Sequence, residues 1–227
     1  MFRVGPTAGI GNILIYISQL DQNAPVSRSH LEAGYRGKYL EFTNLNLVDD
    51  LCDDVPDIET PPIYINDYTT RLVHPKCTLK MRPRSLLTEE LEKYTHLEFT
   101  IGLAIRLGGM NSVDYPRVAD DHALEIFDKI ITHTTGLIFV AVDSLDYKKE
   151  LDAKFPGKLF FIDKPLVVAD SNNTSDDSLP FLEFFLLSRC PYVYITGGNQ
   201  DFSCFSTFGY MAAVYGSRPF SIVWNDK

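Results

Sequence analysis

The chain of 227 residues is short of basic charge, with 21 Lys and Arg against 30 Asp and Glu and a formal net charge of −9. That deficit excludes a general nucleic-acid surface, because binding along a phosphate backbone takes a basic face. It leaves room for a single nucleotide, since one arginine and one helix terminus hold a diphosphate locally. Long apolar runs are also missing. The longest near the start, residues 10–20, is too short for a membrane anchor and lacks the basic flank and cleavage site of a signal peptide. The expected compartment is therefore cytoplasmic, with a bacterial or viral origin in keeping, and the overlapping glycosylation sequons in 172–175 read as coincidental. Cysteine is sparse: Cys52, Cys77, Cys190 and Cys204 match no zinc spacing and read as free thiols. No internal repeat and no low-complexity tract appears.

What is there is the material of a core. Hydrophobic residues make up 45% of the chain and charged residues 22%, enough for one large domain or two small ones. In the first part, a short strand at 2–4 runs into Gly9-Ile-Gly-Asn12 and a helix with Ile10, Ile13, Leu14, Ile17 and Leu20 on one face. Residues 21–37 read as a polar loop, and 38–43 and 63–65 as short strands. Between those strands Asp49, Asp50, Asp53, Asp54 and Asp57 form an acidic stretch without the ligand spacing or central glycine of a calcium loop, so it reads as a solvated face and no metal site is assigned. A basic, proline-rich segment spans 74–84, and 86–94 reads as a helix.

The pattern sharpens after residue 95. Strands are expected at 97–107, 137–142, 158–162, 192–196 and 219–224, and helices at 119–132, 145–155, 179–189 and 205–215. The run 137–142 (Leu-Ile-Phe-Val-Ala-Val) is apolar throughout, as a strand buried on both faces must be. Strands alternating with helices of this length predict an α/β fold, with a Rossmann-like parallel sheet and helices on both faces. Ligands of such sheets bind beyond the carboxyl ends of the strands. Two strand-to-helix turns there carry the right chemistry. Arg106 closes an apolar strand and calls for an anionic partner. Ser206 and Thr207 open a helix, where hydroxyls and backbone N–H groups take a phosphate or simply cap the helix. Together they point to a nucleotide site.

Five segments in order resemble the fucosyltransferase superfamily that includes the α1,2-, α1,6- and protein O-fucosyltransferases. Gly9-Ile-Gly-Asn12 resembles the family's Gly-x-Gly-Asn loop, and Leu103-Ala-Ile-Arg-Leu-Gly-Gly109 its His-x-Arg-Arg-Gly-Asp strand end. Phe139-Val-Ala-Val-Asp-Ser144 with Phe160-Phe-Ile-Asp163 resembles its Ala-Thr-Asp-Asp strand and the strand that follows. Glu183-Phe-Phe-Leu-Leu-Ser188 resembles the helix whose acidic residue reads the base, and Phe205-Ser-Thr207 with Ala212-Ala213 the Phe-Ser-Ser turn and helix. The similarity covers about half of the chain. Three positions depart from it: Ala104 stands where the family often has histidine, Leu107 replaces the second arginine, and Gly109 replaces the aspartate.

The resemblance implies a GT-B-like enzyme with a reduced N-terminal half: residues 1–95 on the acceptor side, and 96–227 binding the nucleotide sugar. It implies inverting, metal-independent transfer of a sugar, most simply L-fucose from GDP-fucose, to a carbohydrate hydroxyl, with a nucleotide sugar and a glycan acceptor as partners and no cofactor. Arg106 then neutralises the leaving diphosphate together with Ser206 and Thr207. Gly9, Gly11 and Asn12 let the backbone approach the donor, and Glu183 accepts from the base. Asp143 binds the ribose or lines the site, or caps the helix beginning near 145. Asp114, eight residues after Arg106, is the candidate general base, with Asp120, Asp121 and His122 as neighbouring alternatives. The three departures keep two other readings open: the same scaffold with another nucleotide sugar such as a UDP-sugar, and a non-catalytic glycan-binding or scaffold domain. A small-ligand α/β module unrelated to sugars is the third.

Overall fold

A computed structural model describes residues 25–28, 35–42, 46–48, 81–107, 118–164, 178–198 and 205–226. In chain order the elements are β1 (Pro25–Ser27), α1 (Tyr35–Tyr39), β2 (Leu40–Phe42), β3 (Asn46–Val48), β4 (Met81–Pro83), α2 (Ser85–Glu92) and β5 (Phe99–Ile105). There follow α3 (Asp121–His133), β6 (Leu137–Val142), α4 (Leu145–Lys154), β7 (Leu159–Phe160), α5 (Leu179–Arg189), β8 (Val193–Thr196), α6 (Thr207–Tyr215) and β9 (Phe220–Val223).

The frame is a sheet of β5 to β9 in the order β7-β6-β5-β8-β9, with every pairing parallel. Counted along the chain this is the order 3-2-1-4-5 of a doubly wound sheet, and its switch point falls between β5 and β8. Side chains alternate between the two faces. Leu103, Val140 and Val142 meet Ala123, Phe127 and Ile131 of α3 and Tyr147 and Leu151 of α4 on one face. Ala104, Phe139, Ala141 and Ile195 meet α5 and α6 on the other.

Each helix follows from its sequence. In α3 the buried residues recur every fourth position, so one stripe faces the sheet, and Asp120 caps the start by accepting from the Ala123 N–H at 2.9 Å. Helix α4 buries only Tyr147 and Leu151, is capped by Ser144, and ends before Gly157, whose φ of +72° suits a residue without Cβ. Helix α5 is buried almost all round because it lies between the sheet and the first part of the chain. There Tyr39 packs on Phe181 at 5.3 Å between ring centroids, and the Tyr215 hydroxyl donates to the Met81 carbonyl. Residues on both sides of residue 95 thus contribute to one core with Phe184, Leu186 and Ala212.

The first part departs from its expected pattern. The segment 21–37 contains β1 and the start of α1, and 38–43, expected as strand, is helical to Tyr39 and extended only over Leu40–Phe42. The cause is pairing at a distance: β1 lies parallel to β3, and β2 antiparallel to β4, where Arg82 forks onto both carboxylate oxygens of Glu41 at 2.9 Å. Three-residue strands made by partners about twenty and about forty positions away leave no period of their own. The expected strands 2–4 and 63–65, the helix from Ile10, the acidic stretch 49–57, and Cys52, Cys77 and Cys204 lie outside the described residues. Cys190 is a buried free thiol, as expected. Among the described residues no helix is long and apolar enough to cross a membrane.

Candidate functional site

The carboxyl ends of β5, β6 and β8 bring four of the expected residues together: Arg106, Asp143, Ser206 and Thr207. Arg106 follows β5 directly. Its backbone N–H donates to the Thr196 hydroxyl at 3.0 Å, and its carbonyl accepts from the Ala119 N–H at 2.8 Å. Both backbone polar groups of the arginine are therefore held, and its guanidinium Nε is buried. Strand alternation places Arg106 on the same side as Ala104, the side that faces α6.

Thr196 ends β8 and is fully buried. Besides accepting from Arg106, its hydroxyl donates to the Ala104 carbonyl at 3.2 Å, and its own carbonyl accepts from the Ser206 N–H at 2.8 Å. One threonine thus ties the end of β5 to the turn that opens α6. Sequence reasoning missed it; the available signal was a hydroxyl residue closing the apolar strand Val193-Tyr-Ile-Thr196 just before two glycines.

Ser206 occupies the N-cap position of α6 and is buried, yet its side chain makes no capping bond to the helix. In α3 and α4 the equivalent position is filled by Asp120 and Ser144, which do cap. The start of α6 therefore keeps the N–H groups of its first turn clear of the Ser206 hydroxyl, with Thr207 as its first residue. That end of the helix carries the positive pole of the helix dipole. Helix and sheet are in close contact here: a Cβ on Gly209 would lie 2.5 Å from the Cβ of Ala104 and 3.2 Å from Ile195. This gives a physical reason for the departure at position 104. A histidine side chain there would drive into the first turn of α6, so Ala104 goes with the close seating of the helix.

Asp143 neither caps α4 nor hangs free. Its Oδ1 accepts from the Leu107 N–H at 2.7 Å, which fixes the backbone next to Arg106, and the cap is Ser144. Asp120, an alternative general base, is committed at both oxygens, one to the Ala123 N–H and one to the Asp226 N–H at 3.1 Å. Asp121 and His122 are exposed on the first turn of α3. Glu183 is half-buried on α5, one helix away from the cluster; its neighbour Phe184 packs edge-on against Phe208 of the first turn of α6. Gly9, Gly11, Asn12 and Asp114 lie outside the described residues. Among the described residues no group of three His, Cys, Asp or Glu side chains is placed to hold a metal ion. A shallow groove of about 600 Å³ lined by Thr132, Gly136, Leu137, Gly157 and Lys158 lies at the opposite, amino end of the strands and has no part in this cluster.

No protein-family model and no curated protein sequence matches the chain. Solved structures do. The structure of the selenomethionine fucosyltransferase NodZ from Bradyrhizobium aligns with 92% of this chain and 88% of that chain, with a TM-score of 0.52 and 13% identity. The NodZ α-1,6-fucosyltransferase structures soaked with GDP-fucose and co-crystallised with GDP each align with 82% of this chain and 84% of that chain, with a TM-score of 0.49 and 13% identity. At this identity the likeness is one of fold, and the fold is the fucosyltransferase-like, GT-B type of α/β architecture.

Proposed function

We propose that this protein is a glycosyltransferase that moves a sugar, most simply L-fucose from GDP-fucose, to a carbohydrate hydroxyl, with inversion and without a metal ion. One observation carries the reading. At the switch point of a doubly wound sheet, an arginine held by its own backbone stands beside a helix start whose N-cap serine makes no capping bond. A fixed cation and N–H donors converging on one crevice suit a diphosphate. The fold likeness and the ordered segments similar to the fucosyltransferase superfamily support the sugar-nucleotide class.

In this reading the guanidinium of Arg106 forks onto the β-phosphate, and the first turn of α6 with Ser206 and Thr207 donates to the same group. The acceptor oxygen attacks C1 of the sugar, the bond from C1 to the diphosphate oxygen breaks, and the nucleoside diphosphate departs with that electron pair. Charge builds on the leaving oxygen as the bond lengthens, so donors already in place lower the barrier. The hydroxyl proton passes to a carboxylate, a role assigned to Asp114. Gly9, Gly11 and Asn12 are assigned to close approach of the backbone, and Glu183 to the base. Asp143 acts through its bond to the Leu107 N–H. Residues 1–95 are assigned to the acceptor and 96–227 to the donor.

Calorimetry with GDP, GDP-fucose, UDP and UDP-sugars, with no metal added, tests the reading. GDP is expected to bind. Arg106→Ala removes two charge-assisted bonds of about 1.5–3 kcal/mol each and should weaken binding at least about a hundredfold. Equal binding by the variant would overturn the assignment of Arg106. Ala104, seated under Gly209 where the family often has histidine, favours a second reading in which another base is preferred; UDP binding above GDP would establish it. A folded protein that binds no nucleotide would sink both and point to a glycan-binding or scaffold domain.

A further inference from the structure

The tail after β9 holds a residue that the site described so far does not use. The Asn225 side chain grips the backbone on both sides of Ala119: its Nδ2 donates to the Val118 carbonyl at 2.8 Å, and its Oδ1 accepts from the Asp120 N–H at 3.0 Å. Its own backbone N–H donates to the Gly198 carbonyl at 3.3 Å, just beyond β8. The next residue, Asp226, donates its N–H to Asp120 Oδ2 at 3.1 Å. In an extended strip the carbonyl of residue 118 and the N–H of residue 120 face one way, and the polar groups of residue 119 face the other. The outward pair is taken by Asn225, and the Ala119 N–H reaches inward to the Arg106 carbonyl at 2.8 Å.

We propose that Asn225 is a positioning residue for Arg106: its carboxamide seats the 118–120 strip against the end of β5, and the strip in turn holds the arginine backbone by its carbonyl, as Thr196 holds it by its N–H. A carboxamide is suited to this because it carries a donor and an acceptor side by side, the same pair that a neighbouring strand would offer. The consequence for donor affinity rests on the glycosyltransferase reading above; the consequence for the backbone at Ala119 does not.

Two measurements on the full chain separate these. Amide hydrogen exchange in Asn225→Ala is expected to be at least about tenfold faster at both Asp120 and Ala119, with Leu103 and Val140 in the sheet unchanged, because two bonds worth about one tenfold factor each are lost. Calorimetry is expected to give GDP affinity about tenfold weaker, since small displacements of a charged ligand-binding group cost that much. Asn225→Asp keeps the shape and the acceptor for the Asp120 N–H but turns an oxygen toward the Val118 carbonyl. It should not restore Ala119 protection or GDP affinity, whereas a role in bulk packing alone would be rescued by it. Unchanged exchange at Ala119 in Asn225→Ala overturns the proposal. So does faster exchange with GDP affinity at the wild-type value. If the wild-type protein binds no nucleotide, the glycosyltransferase reading falls, and exchange at Ala119 alone decides the role of Asn225.

Discussion

Replacing Thr196 by valine tests the anchor of the site with almost no change in side-chain volume. Thr196 is fully buried, and its hydroxyl accepts from the Arg106 N–H at 3.0 Å while donating to the Ala104 carbonyl at 3.2 Å. Valine leaves the Arg106 N–H facing a methyl group. An orphaned buried donor costs about 1–3 kcal/mol, so Thr196→Val should lose about 2 kcal/mol of stability. In a chain of this size each kcal/mol moves Tm by about 2–4 °C, so a fall of about 4–8 °C is expected by scanning calorimetry or circular dichroism. Thr196→Ser is the control. It keeps both hydrogen bonds and deletes one buried methyl, for about 1 kcal/mol and about 2–4 °C. Stability separates the two only in degree; GDP binding separates them in kind. Valine frees the backbone of Arg106 and should weaken GDP about tenfold, whereas serine should stay within about twofold of wild type. Serine and valine weakening GDP equally, or a Tm for Thr196→Val within about a degree of wild type, would refute the argument that this hydroxyl holds the arginine.

Gly209→Ala puts a Cβ 2.5 Å from the Cβ of Ala104, a buried strand atom that has no rotamer by which to move aside. Helix α6 must back away, at about 1–3 kcal/mol, and Ser206 and Thr207 move with it, so urea unfolding and GDP calorimetry should both register the change; wild-type values in both would mean the helix is not seated this closely. Stability should also fall at high pH. Burial pushes the Cys190 thiol up from its ordinary 9.0 to about 12, against a smaller opposing pull from Arg218. The fold thus keeps a proton that the unfolded chain releases. The contribution is fully present below about pH 9 and is lost as pH rises toward about 12, at up to about 1.4 kcal/mol per pH unit. Tyr210 and Tyr215, also pushed up by burial, add to the decline from about pH 10. Urea unfolding between about pH 8 and 10.5 measures the slope, which Cys190→Ala should make shallower; a flat profile in the wild type contradicts a buried protonated thiol.

The parts of this molecule that were legible beforehand are those whose cause is local. The helix expected at 119–132 shows in its hydrophobic period and is found at Asp121–His133, although its cap, Asp120, reads from the sequence only as an alternative base. The strand Leu137–Val142 shows burial on both faces as six apolar residues in a row. Arg106 stands out because a cation after an apolar strand calls for an anionic partner, and Ser206 because a hydroxyl before an apolar helix takes a phosphate or caps the helix. The place of Asp143 just beyond a strand end was legible and its bond was not: that position says nothing of the Leu107 N–H 36 positions earlier. Short strands such as Pro25–Ser27 were illegible because their only cause is the partner strand.

By itself, the sequence determined the alternation of strand and helix after residue 95 and marked two strand-to-helix turns as candidates for holding an anion, because hydrophobic period and turn chemistry act over a few residues. Only the tertiary structure decided that β8 lies beside β5, which places Thr196 between Arg106 and Ser206, seats Gly209 on Ala104, and brings Asn225 from the far end of the chain to the strip around Ala119. Apart from the bond of Thr196 to Ser206, those contacts join residues about 90 to 107 positions apart. They arise when whole faces are buried together, and no local pattern of the chain carries a record of which partner a face will meet.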